Sequence, residues 1–323
     1  MNSRMEYKRL SYKHKNNKVK YYTVNYLRQL IPSVYYQTKL NKKLNNIPDY
    51  ASLIKRVNYY NKLDKITELN SKAIKLSELK INKHKTYYFD LYEYSRYFDQ
   101  NLKGHFLFGD ITQVPEEPGL VKSRPINDNN ANSVILKWNK IRHFMFVRND
   151  KKFQDKKNML ISRGKVHKSQ THRIKFLEKY FEHPMCNIGK VNDNELNPKW
   201  NVQRMTINEQ LEYKFILCLE GNDVASNLKW VMSSNSIAVM PKPKYESWFM
   251  EGLLIPDFHY ILINDDYSDL ETKLNYYINN PDKALDIITN AHKFVAQFKN
   301  KQTEDIISLL VLKKYFEKTN QIV

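Results

Sequence analysis

The strongest constraint on how this chain can fold is a series of short apolar runs with helical segments set between them. HFLFGD (105–110), RHFMFV (142–147), NMLIS (158–162), YKFILCL (213–219), SIAVM (236–240) and HYILI (259–263) are too short for buried helices and lack polar alternation. They read as strands buried on both faces. THRIKFLEKYF places Ile174, Leu177 and Phe181 on one helical face, and VASNLKWVMSS, helical from about Val224, does the same with Val224, Leu228 and Val231. Strands alternating with helices predict an α/β fold with parallel sheets.

The C-terminal third reads as helical. SDLE (268–271) fits a capping box, Pro281 suits the first turn of the next helix, and a last helix opens at Gln302 or Thr303. At 323 residues two domains are expected. The polar, charged stretch RNDKKFQDKKN (148–158) is the natural linker. The expected division is therefore 1–150, 151–300 and a C-terminal helix over 301–323.

Charge narrows the partners. The chain has 53 Lys+Arg against 34 Asp+Glu, and residues 1–60 alone hold 13 basic residues against Glu6 and Asp49. Such a field attracts polyanions: nucleic acid, anionic lipid headgroups or phosphorylated glycans. A bias toward Lys and Asn accounts for the total as well as a ligand does, but less well for its N-terminal concentration. Tyr21, Tyr22, Tyr26, Tyr35 and Tyr36 stand among these lysines, as stacking partners for bases or lipid headgroups or as the packed face of a helical layer. The two cysteines, Cys186 and Cys218, have no zinc-type spacing, so no metal is expected and a reducing compartment is. The first twenty residues lack an apolar core of the secretory kind, and no apolar window reaches 18 residues. A soluble, cytoplasmic protein is expected.

All seven glycines lie between Gly104 and Gly252, which draws attention to the middle third. After the run 213–219 comes LEGNDVASNLK, with Gly221 in the loop and Ser226 and Lys229 one turn into the expected helix. In a βαβ unit such a loop and helix start can receive a phosphate. Gly221 as a plain turn and Asn222 or Asp223 as an N-cap is the competing reading. A second loop, RGKVHKSQTHR (163–173), sets Arg163, Lys165, Lys168 and Arg173 around Gly164 with no acid. Alone it is equally well a solvated basic loop. Together the two loops suggest one diphosphate held between them. Asp110 ends the run HFLFGD after Gly109, either facing a ligand or capping a turn. The histidines have no partner at ligand spacing, and no G-x-S-x-G is present.

The order of these pieces resembles glycosyltransferase family 90, which includes lipopolysaccharide-core sugar transferases and protein O-glucosyltransferases. The closer likeness is to the bacterial lipopolysaccharide branch. Residues 211–270 carry most of it, with FGDITQVP (108–115) and NMLISRG (158–164) in the expected order, and the likeness spans about 102 to 295. It implies a GT-B architecture, two Rossmann-like domains facing across a cleft, with the nucleotide-sugar on the C-terminal one. It implies Asp110 as catalytic base and donor contacts at Arg163, Gly164, Asp223, Val224, Ala225 and Ser226, with Glu246 as a ribose ligand. In the O-glucosyltransferase branch an Arg stands two residues before the Lys of the helix after the Gly loop. That place is Asn227 here, followed by Lys229, so the diphosphate contacts and the donor sugar are open to difference.

The reaction implied is inverting transfer of glucose or galactose from a UDP-sugar to a lipopolysaccharide or lipooligosaccharide core sugar, with no metal or other cofactor. The enzyme would act at the inner face of a bacterial inner membrane, with an anionic membrane surface as a candidate partner and no nucleic acid. Two other readings stand beside it: a basic nucleic-acid-binding protein and a catalytically idle scaffold of the same fold.

Overall fold

The computed structural model describes residues 13–45, 47 and 49–322, so the first twelve residues of the basic N-terminal stretch lie outside the described residues. The described chain forms two compact units. One takes residues 13–16, 143–243 and 253–297, and the other 17–142, 244–252 and 298–322. The chain thus passes between them several times, where the sequence suggested a single change near residue 150.

Among the described residues the strands are β1 (Ile74–Lys75), β2 (Lys103–Phe106), β3 (Gly119–Val121), β4 (Ser123–Pro125), β5 (Ser133–Ile135), β6 (Lys157–Gly164), β7 (Cys186–Lys190), β8 (Tyr213–Leu217), β9 (Ile237–Met240), β10 (Tyr245–Ser247) and β11 (Ile261–Leu262). The unit that begins at residue 17 holds the sheet β1-β2-β3-β5, parallel except for β1, and an antiparallel pair, β4 with β10. The helices Tyr50–Tyr60, Lys85–Ser95 and Lys301–Lys318 belong to it. Tyr60 and Trp248 stack at 3.9 Å in its core.

The second unit is built on the sheet β11-β9-β8-β6-β7, parallel throughout. Every residue of β8 and β9 is buried, as unbroken apolar runs require. Phe153, Leu160, Phe176, Phe215, Val239 and Ile261 are among its core residues. This is the α/β architecture with parallel sheets expected from the sequence.

Four local expectations differ. RHFMFV forms no strand: Asn139, at φ 55°, turns the chain into the short helix Lys140–His143, and the rest is an irregular connector. An apolar run predicts burial, and only a pairing partner makes it extended. The stretch 148–158 is no linker, because Phe153 enters the apolar core and the Lys156 ammonium is buried against Asp150 (2.9 Å) and the Ser236 hydroxyl (3.0 Å). SDLE makes no capping box: the helix Leu270–Asn279 has Asp269 as its N-cap, so Ser268 lies outside the helix start, where its hydroxyl donates to Asp266 (2.7 Å). The helix expected from about Val224 begins only at Leu228 and ends at Met232.

Candidate active site

From β6 the chain goes outward to β7, then returns to the other side of β6 as β8 and continues through β9 to β11. The order of the sheet therefore reverses between β6 and β8. At such a switch point the loops leaving the carboxyl ends of the two strands part in opposite directions, which leaves a crevice for ligands. Gly164 is the last residue of β6, and Gly221 lies in the loop that follows β8. The topology thus brings together the two glycine loops that the sequence shows as separate.

Arg173, in the first turn of the helix Thr171–Tyr180, joins them. Its guanidinium donates to the carbonyl of Lys165 (2.7 Å) in one loop and to those of Leu219 and Glu220 (both 2.8 Å) in the other. Gln170 adds a bond to the Asn222 side chain (3.3 Å), and a ring nitrogen of His172 meets the Glu220 carbonyl (2.9 Å). Asn192 and Asn194 pin the Gly164 loop by bonding the backbone of Val166.

The two glycines are not explained by the protein's own packing. A Cβ at Gly164 or Gly221 would come no closer than 3.6 Å to a neighbour, in each case the Arg173 guanidinium, and neither position has a left-handed φ. Contrast Gly189, where a Cβ would lie 2.5 Å from Val202, and Gly109, which sits at φ 124°. Bare backbone at a half-exposed switch point gives a ligand room to approach.

The other expected donor residues fall in distinct places. Arg163 donates to the carbonyls of Ser162 (2.8 Å), Asn187 (2.7 Å) and Gln203 (3.1 Å) and to the Asn187 side chain (2.6 Å), so its guanidinium braces β6 against β7. Burial lowers its pKa without removing its charge. Gly221 donates its amide to the Asp223 carbonyl (3.0 Å). Asp223, Val224, Ala225 and Lys229 are buried, and Ser226 is half-buried. Since the helix starts at Leu228, Asp223 to Ser226 form an irregular loop, and no helical amides stand at Val224. Asn227, where the related branch carries Arg, bonds the Leu217 carbonyl through its side chain (2.9 Å).

Asp110 belongs to the other unit, four residues beyond the end of β2. The left-handed Gly109 turns the chain so that the Asp110 carboxylate pairs with the buried ammonium of Lys122, while 34% of its side chain stays exposed. Glu246, expected at a ribose, also lies in this unit, 2% exposed. One carboxylate oxygen accepts from Arg124 Nε (2.7 Å) and the other from the Tyr59 hydroxyl, which makes it part of a buried ion cluster. Cys186 and Cys218 are buried thiols, and burial pushes Cys186 up to about 12, so it offers no thiolate near neutral pH. Among the described residues no group of three or more His, Cys, Asp or Glu could hold a metal ion. No described helix is long and apolar enough to cross a membrane.

Comparison with known proteins bears on this geometry. Residues 128–318 match the family described as Glycosyl transferase family 90. The chain belongs to that family. A curated relative, the O-glucosyltransferase LpsA of Dichelobacter nodosus, is 42% identical over 266 residues, covering 82% of this chain and 83% of its own length. An uncharacterized protein, 179R of Invertebrate iridescent virus 6, is 29% identical over 145 residues, covering 42% of this chain and 12% of its own.

The protein is thus a glycosyltransferase. The family span contains Arg163, Arg173, both switch-point glycines and Glu246, while Asp110 lies before it. Sequence reasoning named Arg173 as one cation of a basic loop and missed that it joins the two glycine loops. It also missed Lys122 as the partner of Asp110. The signal for Lys122 was the parallel pairing of β2 with β3, which sets residues just beyond both strands near one another.

Proposed function

We propose that this family 90 glycosyltransferase moves a hexose from a UDP-sugar to a hydroxyl of a lipopolysaccharide or lipooligosaccharide core sugar, with inversion. The observation that carries the donor assignment is the pair of glycines at the switch point, which their own protein's packing does not require. Glucose is the first donor to try, because the relative from Dichelobacter nodosus is named an O-glucosyltransferase. Galactose is the second, since the two sugars differ by the orientation of one hydroxyl. The core acceptor rests on the likeness to the lipopolysaccharide branch, and the fold assignment within the α/β class is GT-B.

In this reading the diphosphate lies against the backbone at Gly164 and Gly221. The Arg173 guanidinium offers positive charge beside it as the UDP departs, and fixed charge of this kind acts without reorganisation cost. Arg163 supports the β6 loop from behind. Asp110 accepts the proton of the attacking hydroxyl, its carboxylate oriented by Lys122 and by the turn at Gly109. General-base assistance is worth about 10²–10⁴ in rate. No metal is assigned a step. The enzyme would work as a peripheral protein at the cytoplasmic face of the inner membrane, where its basic residues meet anionic lipid and phosphorylated core.

Calorimetric titration of UDP and UDP-glucose into wild type, Arg173→Ala and Gly221→Ala, each with and without EDTA, tests the reading. Binding that persists in EDTA and weakens in both variants is expected. Wild-type and variant affinities that coincide would remove the switch-point site.

A further inference from the structure

The helix Lys18–Gln29 turns several aliphatic side chains toward solvent. Its inward side packs the rings of Tyr21, Tyr22 and Tyr26 edge-on against Phe89 and adds polar contacts: Tyr21 donates to Asp90 (2.8 Å), Arg28 to Glu93 (2.9 Å), and Asn25 is buried. Its outward side carries aliphatic residues together with the exposed Lys20 and Thr23. Val19 is 77% exposed, Leu27 57%, and Leu30, at the C-cap, 78%; these three fall on one helical face. The next turns continue the pattern with Ile31 and Val34, the latter 67% exposed. A surface helix in water turns mainly polar residues outward, and exposed large aliphatics grouped in this way mark an interaction surface.

Charge identifies the occupant. Residues 13–45 contain seven lysines and Arg28 but no Asp or Glu. Arg28 is paired with Glu93, whereas Lys18, Lys20, Lys42 and Lys43 are exposed. A second copy of the chain would set this cationic surface against its own like. An anionic bilayer matches both features, with acyl chains for the aliphatic side and phosphates for the lysines.

We propose that the helix Lys18–Gln29, with the segment through Val34, lies in the plane of an anionic lipid interface with Val19, Leu27 and Leu30 inserted. This deepens the peripheral placement proposed above. It assigns the contact to aliphatic insertion rather than to charge alone.

The test uses the full chain with vesicles of phosphatidylcholine, pure or with phosphatidylglycerol. Co-sedimentation should show strong binding to the anionic vesicles. The triple variant Val19→Ser, Leu27→Ser, Leu30→Ser should bind at least about tenfold more weakly, because the inserted apolar area is gone. Its UDP affinity and thermal midpoint should match wild type, since all three positions are exposed. In a Leu30→Trp variant, a fluorescence difference against wild type should show the added indole's emission moving to the blue on anionic vesicles. It should also be quenched by brominated acyl chains. Unchanged binding by the triple variant, or no spectral change at Trp, would overturn insertion. So would a triple variant that dissociates a dimer while vesicle binding stays the same, because the face would then be a self-interface. Wild-type protein that binds the anionic vesicles but not UDP would count against the donor site and leave this proposal standing.

Discussion

The unit built on β6 to β9 and β11 buries a continuous apolar cluster, and its buried Lys156 pairs with Asp150 only six residues away. The other unit sets charges against each other across long stretches of chain. Arg124 meets Glu246, 122 residues on, Lys137 meets Glu304, 167 residues on, and Arg28 meets Glu93, 65 residues on. A buried pair is strongly destabilising once one partner is removed, because the other is left charged and desolvated. Substitutions at the switch-point loops can therefore report on ligand binding, whereas substitutions among the paired charges report first on folding.

The largest effect expected is at Asp110, which lies in the ionic unit but is partly exposed. Asp110→Asn should lower turnover by about 10²–10⁴ while the UDP affinity measured by calorimetry stays that of wild type. Turnover within twofold of wild type would remove Asp110 as the base.

Glu246→Ala should cost about 3–5 kcal/mol in urea unfolding, since Arg124 is fully buried and keeps only carbonyl acceptors and a ring contact with Tyr59. If stability is unchanged and the donor KM rises instead, Glu246 serves the ligand, and the contrast between the two units fails.

Acid should act on the ionic unit through Glu93. Burial pushes this carboxyl up, but Lys140 and Arg28 outweigh burial and hold it at about 2, below its usual 4.5. A depressed carboxyl stabilises the fold above its unfolded pKa, and that contribution is lost as pH falls from about 4.5 toward 2. The loss is roughly 3 kcal/mol. Neighbouring Asp90, raised to about 6 by burial despite Lys140, works in the other direction, losing stability as pH rises through that value. Glu93→Gln should flatten the acid limb of an unfolding-versus-pH curve, and an unaltered slope would assign the acid sensitivity elsewhere.

The smallest changes in stability belong to the switch point. Gly164→Ala and Gly221→Ala should leave urea unfolding within about 0.5 kcal/mol of wild type, or slightly stabilise it, because each Cβ has room. UDP affinity should nevertheless fall about tenfold as the backbone loses its close approach. Gly189→Ala supplies the control. There a Cβ would meet Val202 and the Trp200 carbonyl, and the crowding should cost about 1–3 kcal/mol.

Much of the parallel unit was legible because its signals are local. NMLIS, YKFILCL and SIAVM contain or overlap β6, β8 and β9, and the periodicity of THRIKFLEKYF matches the helix Thr171–Tyr180. RHFMFV was misread because apolar character reports burial and not backbone conformation. The capping reading of SDLE failed because the helix starts one residue later, with Asp269 rather than Ser268 at the N-cap. The outward aliphatic face of the helix Lys18–Gln29 could not be oriented in advance, since periodicity shows that a helix has two faces but not which one packs.

By itself the sequence determined the α/β class, the family, the two glycine loops and the cationic N-terminal stretch, all of which depend on residues close together in the chain. Tertiary structure decided which of these meet. Crossing from β7 back to β8 put Gly164 and Gly221 at one switch point, let Arg173 bond to both loops, and turned Arg163 toward β7. Pairing β4 with β10 buried Glu246 on Arg124. Strand order and register are set by the summed burial of distant segments, and no short window of sequence contains that sum.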